Sequence, residues 1–215
     1  LQAQTLEPSP KAGAAHAEVA ASVQALTEVV IKHLVTRVVA RTGCRRLCLA
    51  GGVALNGLAN QRLLREGVVD ALYVPPVPDD RGLSLGAAAL AAIASGQLKH
   101  CPGGVLSAYV GPALSAEALA LPSGFSEVLC TDLIDTVAAM LAAGKLIAWC
   151  SGRAEIGPRA LGNRSIFALP VRGEVRDQLN QRVKQREPFR PFGCSLPLEH
   201  AAEWLEMVGD SPYML

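Results

Sequence analysis

Three arginines lie close together in the stretch SGRAEIGPRALGNRSIFALP, which spans residues 151–170. Arg153, Arg159 and Arg164 follow one another at spacings of 6 and 5. Guanidinium groups bind phosphate oxygens in a bidentate manner, and glycines leave backbone N–H groups free to bind anions as well. The stretch therefore predicts a site for an anion that carries phosphate groups.

A second basic cluster, RVKQREPFRPF, follows at residues 182–192. It adds Lys184, Arg186 and Arg190 from a helix end and the Pro-rich loop after it. Residues 145–190 hold 10 of the 20 Lys and Arg but only 4 of the 19 Asp and Glu, so this segment carries +6 while the whole chain carries +1. The two clusters favour a polyanion, such as a nucleotide triphosphate with a further phosphate. A solvated charged face is the ordinary alternative.

Paired glycines, Gly51 and Gly52, follow an apolar run in LCLAGGVALN. In open α/β sheets ligands bind beyond the carboxyl ends of strands, and glycines let the backbone approach a phosphate or an adenine ring. A tight turn from strand to helix needs glycines as well. The residues alone leave the nucleotide-binding and the structural interpretation equally open.

Two adjacent carboxylates, Asp79 and Asp80, precede a helix in VPPVPDDRGLSLGAA. Such a pair could bind a metal, orient a hydroxyl or cap the helix. Asp near a helix start is favoured by the exposed N–H groups and the helix dipole, so the residues alone favour capping.

Cysteine and histidine spacing predicts no complete metal site. The six cysteines form no CxxC pair and the four histidines no HxxxH or HExxH pair. We expect reduced thiols, with Cys44 and Cys48 buried as small hydrophobic residues. Since the chain has neither a run of 18 apolar residues nor a secretory leader pattern, we expect a cytoplasmic protein that contacts no membrane.

Hydrophobic periodicity predicts alternating helices and strands, and therefore an α/β fold. In the first half we expect an amphipathic helix from His16 to Gly43, the strands RRLCLA and ALYVPP, and the helices GLANQRLLREG and LSLGAAALAAIASG. This alternation indicates a parallel sheet.

The second half is predicted to be α/β as well. Its predicted elements are the helices DLIDTVAAMLAAG and GEVRDQLNQRVK, the strands KLIAWC and RSIFALP, and a short strand in LSAYVGP. The Gly-, Pro- and Ser-rich segment between the halves indicates a boundary between domains at residues 1–104 and 105–215.

Taken together, three motifs closely resemble the NodU/CmcH-type O-carbamoyltransferases of antibiotic and nodulation-factor synthesis. They are LCLAGGVALN…AN…LLRE, PPVPDDRGLSLGAA and GRAEIGPRALGNRSIFALP…LNQRVKQREPFRPF, within a nearly colinear match over residues 14–215. The resemblance implies the end of an actin-like, sugar-kinase-type domain, related to tRNA threonylcarbamoyladenosine synthases, over residues 1–104. Part of a YrdC-like α/β domain then follows over residues 105–215.

The resemblance implies two coupled reactions. The YrdC-like domain makes carbamoyl adenylate from carbamoyl phosphate and ATP with release of pyrophosphate. The actin-like domain binds that adenylate and a metal, and passes the carbamoyl group to a hydroxyl of a small-molecule acceptor. The implied cofactors are ATP, carbamoyl phosphate as co-substrate, and a divalent metal, which is iron in the actin-like domain and magnesium with ATP.

The resemblance also implies roles for the residues at matching positions. Gly51, Gly52 and Asn56 match the adenylate-binding turn. Asp80 matches the acidic contact to metal or nucleotide, which overrides the capping interpretation. Within the YrdC-like signature, the groups assigned to catalysis are Arg153, Arg159, Arg164 and Lys184, and those assigned to cofactor binding are Asn163, Arg186 and Arg190.

Three functional interpretations stay open. The first is an ATP-dependent O-carbamoyltransferase represented by its central and C-terminal portion, because family members are longer and their metal-holding histidine pair lies upstream of the match. The second is a truncated, inactive nucleotide-binding remnant, or a subunit that needs a partner chain. The third, an RNA-binding module, is disfavoured because residues 145–190 contain only Trp149, Phe167 and Phe189 as aromatics for base stacking. We expect no nucleic-acid partner, and a homodimer is a possible assembly.

Overall fold

The computed structural model describes residues 13–99, 106–114, 122–171 and 173–215. Their contacts divide the chain into two compact units. The first takes in the described residues up to Leu83 together with 205–213 and Leu215, and the second takes in those of Ser84–Trp204 together with Met214. The domain boundary drawn from the sequence stays a prediction.

The first unit is built on a strand–helix–strand arrangement beside a long helix. Its elements are α1 (Gly13–Thr42), β1 (Arg46–Cys48), a 3-10 turn (Gly52–Leu55), α2 (Gly57–Arg65) and β2 (Ala71–Tyr73). β1 and β2 pair in parallel, with Leu47 opposite Leu72, which confirms the predicted parallel pairing. α1 ends where Gly43 takes a left-handed φ of 69°, a conformation that glycine adopts without strain.

A small core joins α1 to α2. Val35, Leu63 and Val69 are buried together, and the half-buried side chains around them include Ile31 and Leu72. The same two helices are linked by ion pairs, which are Lys32–Glu66 at 2.5 Å and Glu28–Arg62 at 2.8 Å.

α1 differs from the predicted amphipathic helix, because apolar side chains also cover the side away from Val35. Those exposed side chains are Val19, Val23, Leu26, Val30 and Leu34. By length and composition alone, residues 16–42 could cross a membrane, a test that a core helix of a soluble protein and a signal sequence also pass. The two ion pairs and the core contacts show that α1 packs against α2 in this structure.

The five cysteines in the described part of the chain are free thiols and are not buried. Cys44 and Cys48 are exposed, as are Cys130, Cys150 and Cys194, so the prediction of buried cysteines is wrong. β1 pairs with β2 alone among the described residues, and the side chain of Cys48 therefore has few neighbours.

The chain continues with further helices and a second strand pair, which is antiparallel. The elements are α3 (Leu83–Ala94), α4 (Leu133–Ala142), β3 (Ile147–Cys150), β4 (Arg164–Phe167), α5 (Gly173–Gln178) with a π-helical turn (Leu179–Lys184), a 3-10 turn (Leu198–His200) and α6 (Ala201–Trp204). Trp149 of β3 and Phe167 of β4 have ring centroids 6.1 Å apart. The mixed α/β character expected from the sequence is confirmed.

The predicted strand in LSAYVGP, residues 106–112, is not formed. The segment instead runs beside residues 153–156, with one isolated bridge between Ala113 and Arg153. A strand needs a continuous partner, and here the partner is an irregular loop rather than a third strand.

We predict that Leu63→Ala lowers the free energy of unfolding by about 2–5 kcal/mol, because it leaves a cavity in the core. Leu63 is 1% exposed, whereas Leu58 in the same helix is 68% exposed. The matched control Leu58→Ala should therefore change stability by less than about 0.5 kcal/mol. Urea unfolding followed by circular dichroism measures both, and equal losses would contradict this core.

Candidate functional site

The arginine-rich stretch forms the connection between β3 and β4, which we call the arginine loop (residues 151–163). Its base is closed by Ser151, whose N–H donates to the carbonyl of Asn163 at 3.0 Å. The Asn163 amide in turn donates to the carbonyl of Arg153 at 2.7 Å. Gly157 and Gly162 have φ values of 107° and 108°, which side-chain-bearing residues rarely adopt. The loop is therefore an ordered turn with a closed base.

A carboxylate inside the loop binds its backbone. One side-chain oxygen of Glu155 accepts hydrogen bonds from the N–H groups of Leu161 and Asn163, both at 2.7 Å, and of Arg164 at 3.2 Å. Partial burial raises the pKa of Glu155, but these N–H donors outweigh it, so the pKa lies below its ordinary value of 4.5. Glu155 is thus held as a carboxylate, and sequence reasoning missed it.

The three arginines of the stretch have different surroundings. Arg153 donates to the carbonyl of Val110 at 2.8 Å. Arg164 donates to the carbonyls of Ser151 at 2.7 Å and Asn163 at 2.9 Å. Arg159 is exposed and has no hydrogen-bond or ion-pair partner within the described part of the chain.

The second basic cluster is organised by Asn180, another residue that sequence reasoning missed. Asn180 is fully buried in the π-helical turn, and its amide nitrogen donates to the carbonyls of Pro188 at 3.1 Å and Arg190 at 2.9 Å. Its amide oxygen accepts from Nε of Arg186 at 2.7 Å. The guanidinium of Arg186 also lies 4.6 Å from the ring centroid of Phe192. These contacts give the Pro-rich loop a defined course.

Arg190 and Lys184 of this cluster are exposed. Arg190 pairs with Glu187 at 2.9 Å. The side-chain ammonium of Lys184 has no ion-pair or hydrogen-bond partner among residues 13–99, 106–114, 122–171 and 173–215. Each basic cluster is held by contacts of its own, and the joint binding of one anion by both stays a prediction.

In the first unit, the paired glycines lie beyond the carboxyl end of β1, as expected. Gly51 donates its N–H to the carbonyl of Pro78 at 2.6 Å and has a φ of 103°. A Cβ atom added to Gly51 or Gly52 would meet nothing within 4 Å, so the space beside both is open. Whether this open side receives an adenylate stays a prediction.

Asn56 is engaged in structural contacts. It caps α2, because its side-chain oxygen accepts from the N–H of Ala59 at 3.1 Å. The same amide exchanges two hydrogen bonds with the amide of Gln24, at 2.8 and 3.1 Å. A cap of this kind stabilises the helix start independently of any ligand.

The adjacent aspartates divide their roles. Asp79 accepts from the N–H of Arg81 and forms an ion pair with the same residue, so the capping contact belongs to Asp79. Hydrogen bonds from the Arg81 side chain hold the pKa of Asp79 below its ordinary value. Asp80 is exposed, and its carboxylate has no partner among the described residues, while its backbone carbonyl accepts from the N–H of Leu83.

The described residues do not complete a metal site. No group of three or more His, Cys, Asp or Glu side chains among them could hold a metal ion. Asp80 alone would supply one ligand, so the divalent metal implied by the resemblance is not matched by a full set of donors here.

Comparison with known proteins identifies the family. Residues 3–89 match the carbamoyltransferase N-terminus, and residues 138–215 match the carbamoyltransferase C-terminus. The chain belongs to the carbamoyltransferase family. Within it, the C-terminal match contains both basic clusters, and the N-terminal match contains the paired glycines and Asp80.

Similar proteins include nodulation proteins of several bacteria. The chain is 41% identical over 201 residues to nodulation protein NolO of Bradyrhizobium diazoefficiens, covering 89% of this chain and 36% of that protein. It is 39% identical over 173 residues to nodulation protein U of Sinorhizobium fredii, covering 80% of this chain and 30% of the other. An uncharacterized protein of Synechocystis sp. is 37% identical over 208 residues, covering 92% and 34%. The chain thus spans about a third of the length of these relatives.

We expect Arg164→Ala to lower the free energy of unfolding by about 1–3 kcal/mol, because several carbonyls lose a charged donor. Arg159→Ala should stay within about 0.5 kcal/mol, since Arg159 has no described partner. Arg164→Lys should not restore stability, because an ammonium cannot reproduce the fork of the guanidinium. Denaturant titration of the three variants tests this, and equal stability of the two alanine variants would be the contrary result.

The lowered pKa of Glu155 predicts a pH dependence of stability. Because its folded-state pKa lies below 4.5, the carboxylate stabilises the fold above pH 4.5, and this contribution is lost as the pH falls through the folded-state pKa. Thermal unfolding of the protein and of Glu155→Gln measures the contribution of Glu155, because the contributions of all other carboxylates are common to both proteins and cancel in the difference. The difference in Tm should be constant above about pH 6 and shrink on acidification to about pH 3. A constant difference over the whole range would contradict the assignment.

Proposed function

We propose that this chain takes part in ATP-dependent O-carbamoyl transfer. In the first proposed step, carbamoyl phosphate, ATP and water give carbamoyl adenylate, pyrophosphate and phosphate. In the second, a hydroxyl oxygen of a small-molecule acceptor attacks the carbamoyl carbon, and AMP leaves. Membership of the carbamoyltransferase family supports the proposal that the transferred group is a carbamoyl group.

The observation that supports adenylate formation best is that the three arginines differ in whether their side chains are already bound to the protein. Arg153 and Arg164 are bound to carbonyls of the chain, while Arg159 projects from an ordered loop without a described partner. A cation held on a preorganised loop can bind phosphate oxygens at little cost of reorganisation. We therefore assign the phosphate contact to Arg159, and the support of the loop to Arg153, Asn163 and Arg164.

The chemistry explains why a basic segment is needed. Forming carbamoyl adenylate requires two anions to approach each other, and cations offset their repulsion while stabilising charge on the leaving pyrophosphate. Lys184 suits the same purpose because it is exposed and unpaired among the described residues. Arg186 and Arg190 stay candidates for nucleotide contacts, although Arg186 also holds the Pro-rich loop.

The transfer step is assigned to the first unit. Gly51 and Gly52 would admit the adenylate at the end of β1, with Asn56 beside it. Asp80 would contact a metal or the nucleotide. Because the described residues supply no complete donor set, no step is drawn through a metal. Magnesium carried by ATP and iron in the actin-like domain stay parts of the proposal.

The acceptor is proposed to be a hydroxyl of a sugar or another secondary metabolite. The names of the relatives connect those proteins with nodulation, which supports an acceptor from that setting. An antibiotic-type metabolite with a hydroxyl group would offer the same reacting atom. The proposed reaction needs neither nucleic acid nor membrane, and we place it in the cytoplasm, where ATP is available.

We predict that Arg159→Ala lowers carbamoyl-phosphate-dependent exchange of pyrophosphate into ATP about 30-fold to 1,000-fold. This corresponds to about 2–4 kcal/mol for one phosphate contact in a preorganised site. Exchange of labelled pyrophosphate by the natural full-length protein measures it. Arg41→Ala is the matched control, because it removes another exposed arginine whose side chain has no partner among the described residues. Unchanged exchange in Arg159→Ala would refute the assignment.

Asp80→Ala should leave this exchange unchanged and abolish transfer to the acceptor, because Asp80 is assigned to the second step. Carbamoylation of a candidate hydroxyl compound, measured beside exchange on the same preparation, separates the two steps. Asp79→Ala is the neighbouring control, which loses the cap but keeps the Asp80 carboxylate. Equal loss of exchange and transfer in Asp80→Ala would contradict this division of labour.

A further inference from the structure

The tip of the arginine loop, residues 156–160, is fixed on both sides. On one side the N–H of Ile156 donates to the carbonyl of Ala108 at 2.7 Å. On the other, the Glu155 carboxylate, just before the tip, accepts from Leu161, just after it, at 2.7 Å. One side chain thus ties together the two ends of the segment that carries Arg159.

The contact needs a carboxylate. Three backbone N–H groups, those of Leu161, Asn163 and Arg164, converge on a single oxygen of Glu155. Converging backbone N–H groups form a concave site that favours an anion, and hydrogen bonds to an ionised acceptor are stronger than those to a neutral one. Glutamine at this position would keep the shape of the side chain and lose the charge.

We propose that Glu155 is a positioning residue for Arg159, which it holds ready for the phosphate groups of the substrate. This rests on the proposed function, in which Arg159 makes the phosphate contact. Glu155 itself touches only the protein. A guanidinium on an untied loop would have to be ordered at the moment of binding, and this ordering weakens binding and misplaces the donor in the transition state.

Trypsin cleavage after Arg159 reports directly on whether the tip is tied. Cleavage of a folded chain requires local opening around the scissile bond. We expect the cleavage rate after Arg159 to rise about tenfold in Glu155→Gln and further in Glu155→Ala. Cleavage after Lys184, the control site in the same unit, should stay within about twofold. An unchanged rate after Arg159, or an equal rise at both sites, would overturn the proposal.

A double-mutant cycle on pyrophosphate exchange separates positioning from general stabilisation. Glu155→Gln should lower kcat/KM for exchange about tenfold when Arg159 is present and less than about twofold in the Arg159→Ala background. A merely structural role would give the same loss in both backgrounds, which would overturn the proposal.

The two experiments fail independently. If the unsubstituted full-length protein catalysed no exchange, the proposed function would be wrong. The trypsin comparison would still decide about Glu155, because it measures the loop and not the reaction. Glu155→Asp keeps the charge on a shorter side chain, so its cleavage rate after Arg159 should lie between the rates of the unsubstituted protein and of Glu155→Gln. A rate above that of Glu155→Ala would overturn the charge-based account.

Discussion

The arginine loop depends on the Glu155 carboxylate, because an irregular segment has no ladder of strand partners for its backbone groups. Ordered backbone N–H and C=O groups need partners, and side chains supply them where secondary structure does not. The division here is by charge. The acid takes the N–H groups of residues 161, 163 and 164, while Arg153 and Arg164 take carbonyls. A loop that is basic overall is therefore held together by its one internal anion.

The second basic cluster meets the same requirement with different residues. Proline has no N–H, so a Pro-rich loop has more carbonyls than donors, and donors must come from elsewhere. Asn180 donates to the carbonyls of residues 188 and 190, and Arg186 extends this network. The number of basic residues in the segment therefore overestimates how many of them can contact a bound anion, because some of them bind carbonyls of the protein itself.

Local pattern predicted the elements well, and longer-range contacts account for what it missed. Helical periodicity gave α1 and α2 close to their observed bounds, and the alternation with strands predicted the parallel pair β1–β2. The strand expected at 106–112 and the burial of Cys48 were wrong, since both depend on neighbours that periodicity cannot supply. Glu155 and Asn180 were missed for the same reason. Their signal in the sequence is a lone acid between arginines and an asparagine shortly before a Pro-rich loop.

At helix starts in the first unit, a polar side chain can cap the helix or bind a ligand, and the structure shows which atoms are still available. The amide of Asn56 is used on both sides, by Ala59 and by Gln24, so a ligand would have to displace Gln24 to reach it. Asp79 is similarly occupied by Arg81. Asp80 can meet a ligand without breaking a described contact, and so can the open sides of the paired glycines. The same reasoning that selects Arg159 in the arginine loop therefore selects Asp80 over Asp79. A ligand-binding group must be positioned by its neighbours while its own polar atoms stay available for the ligand.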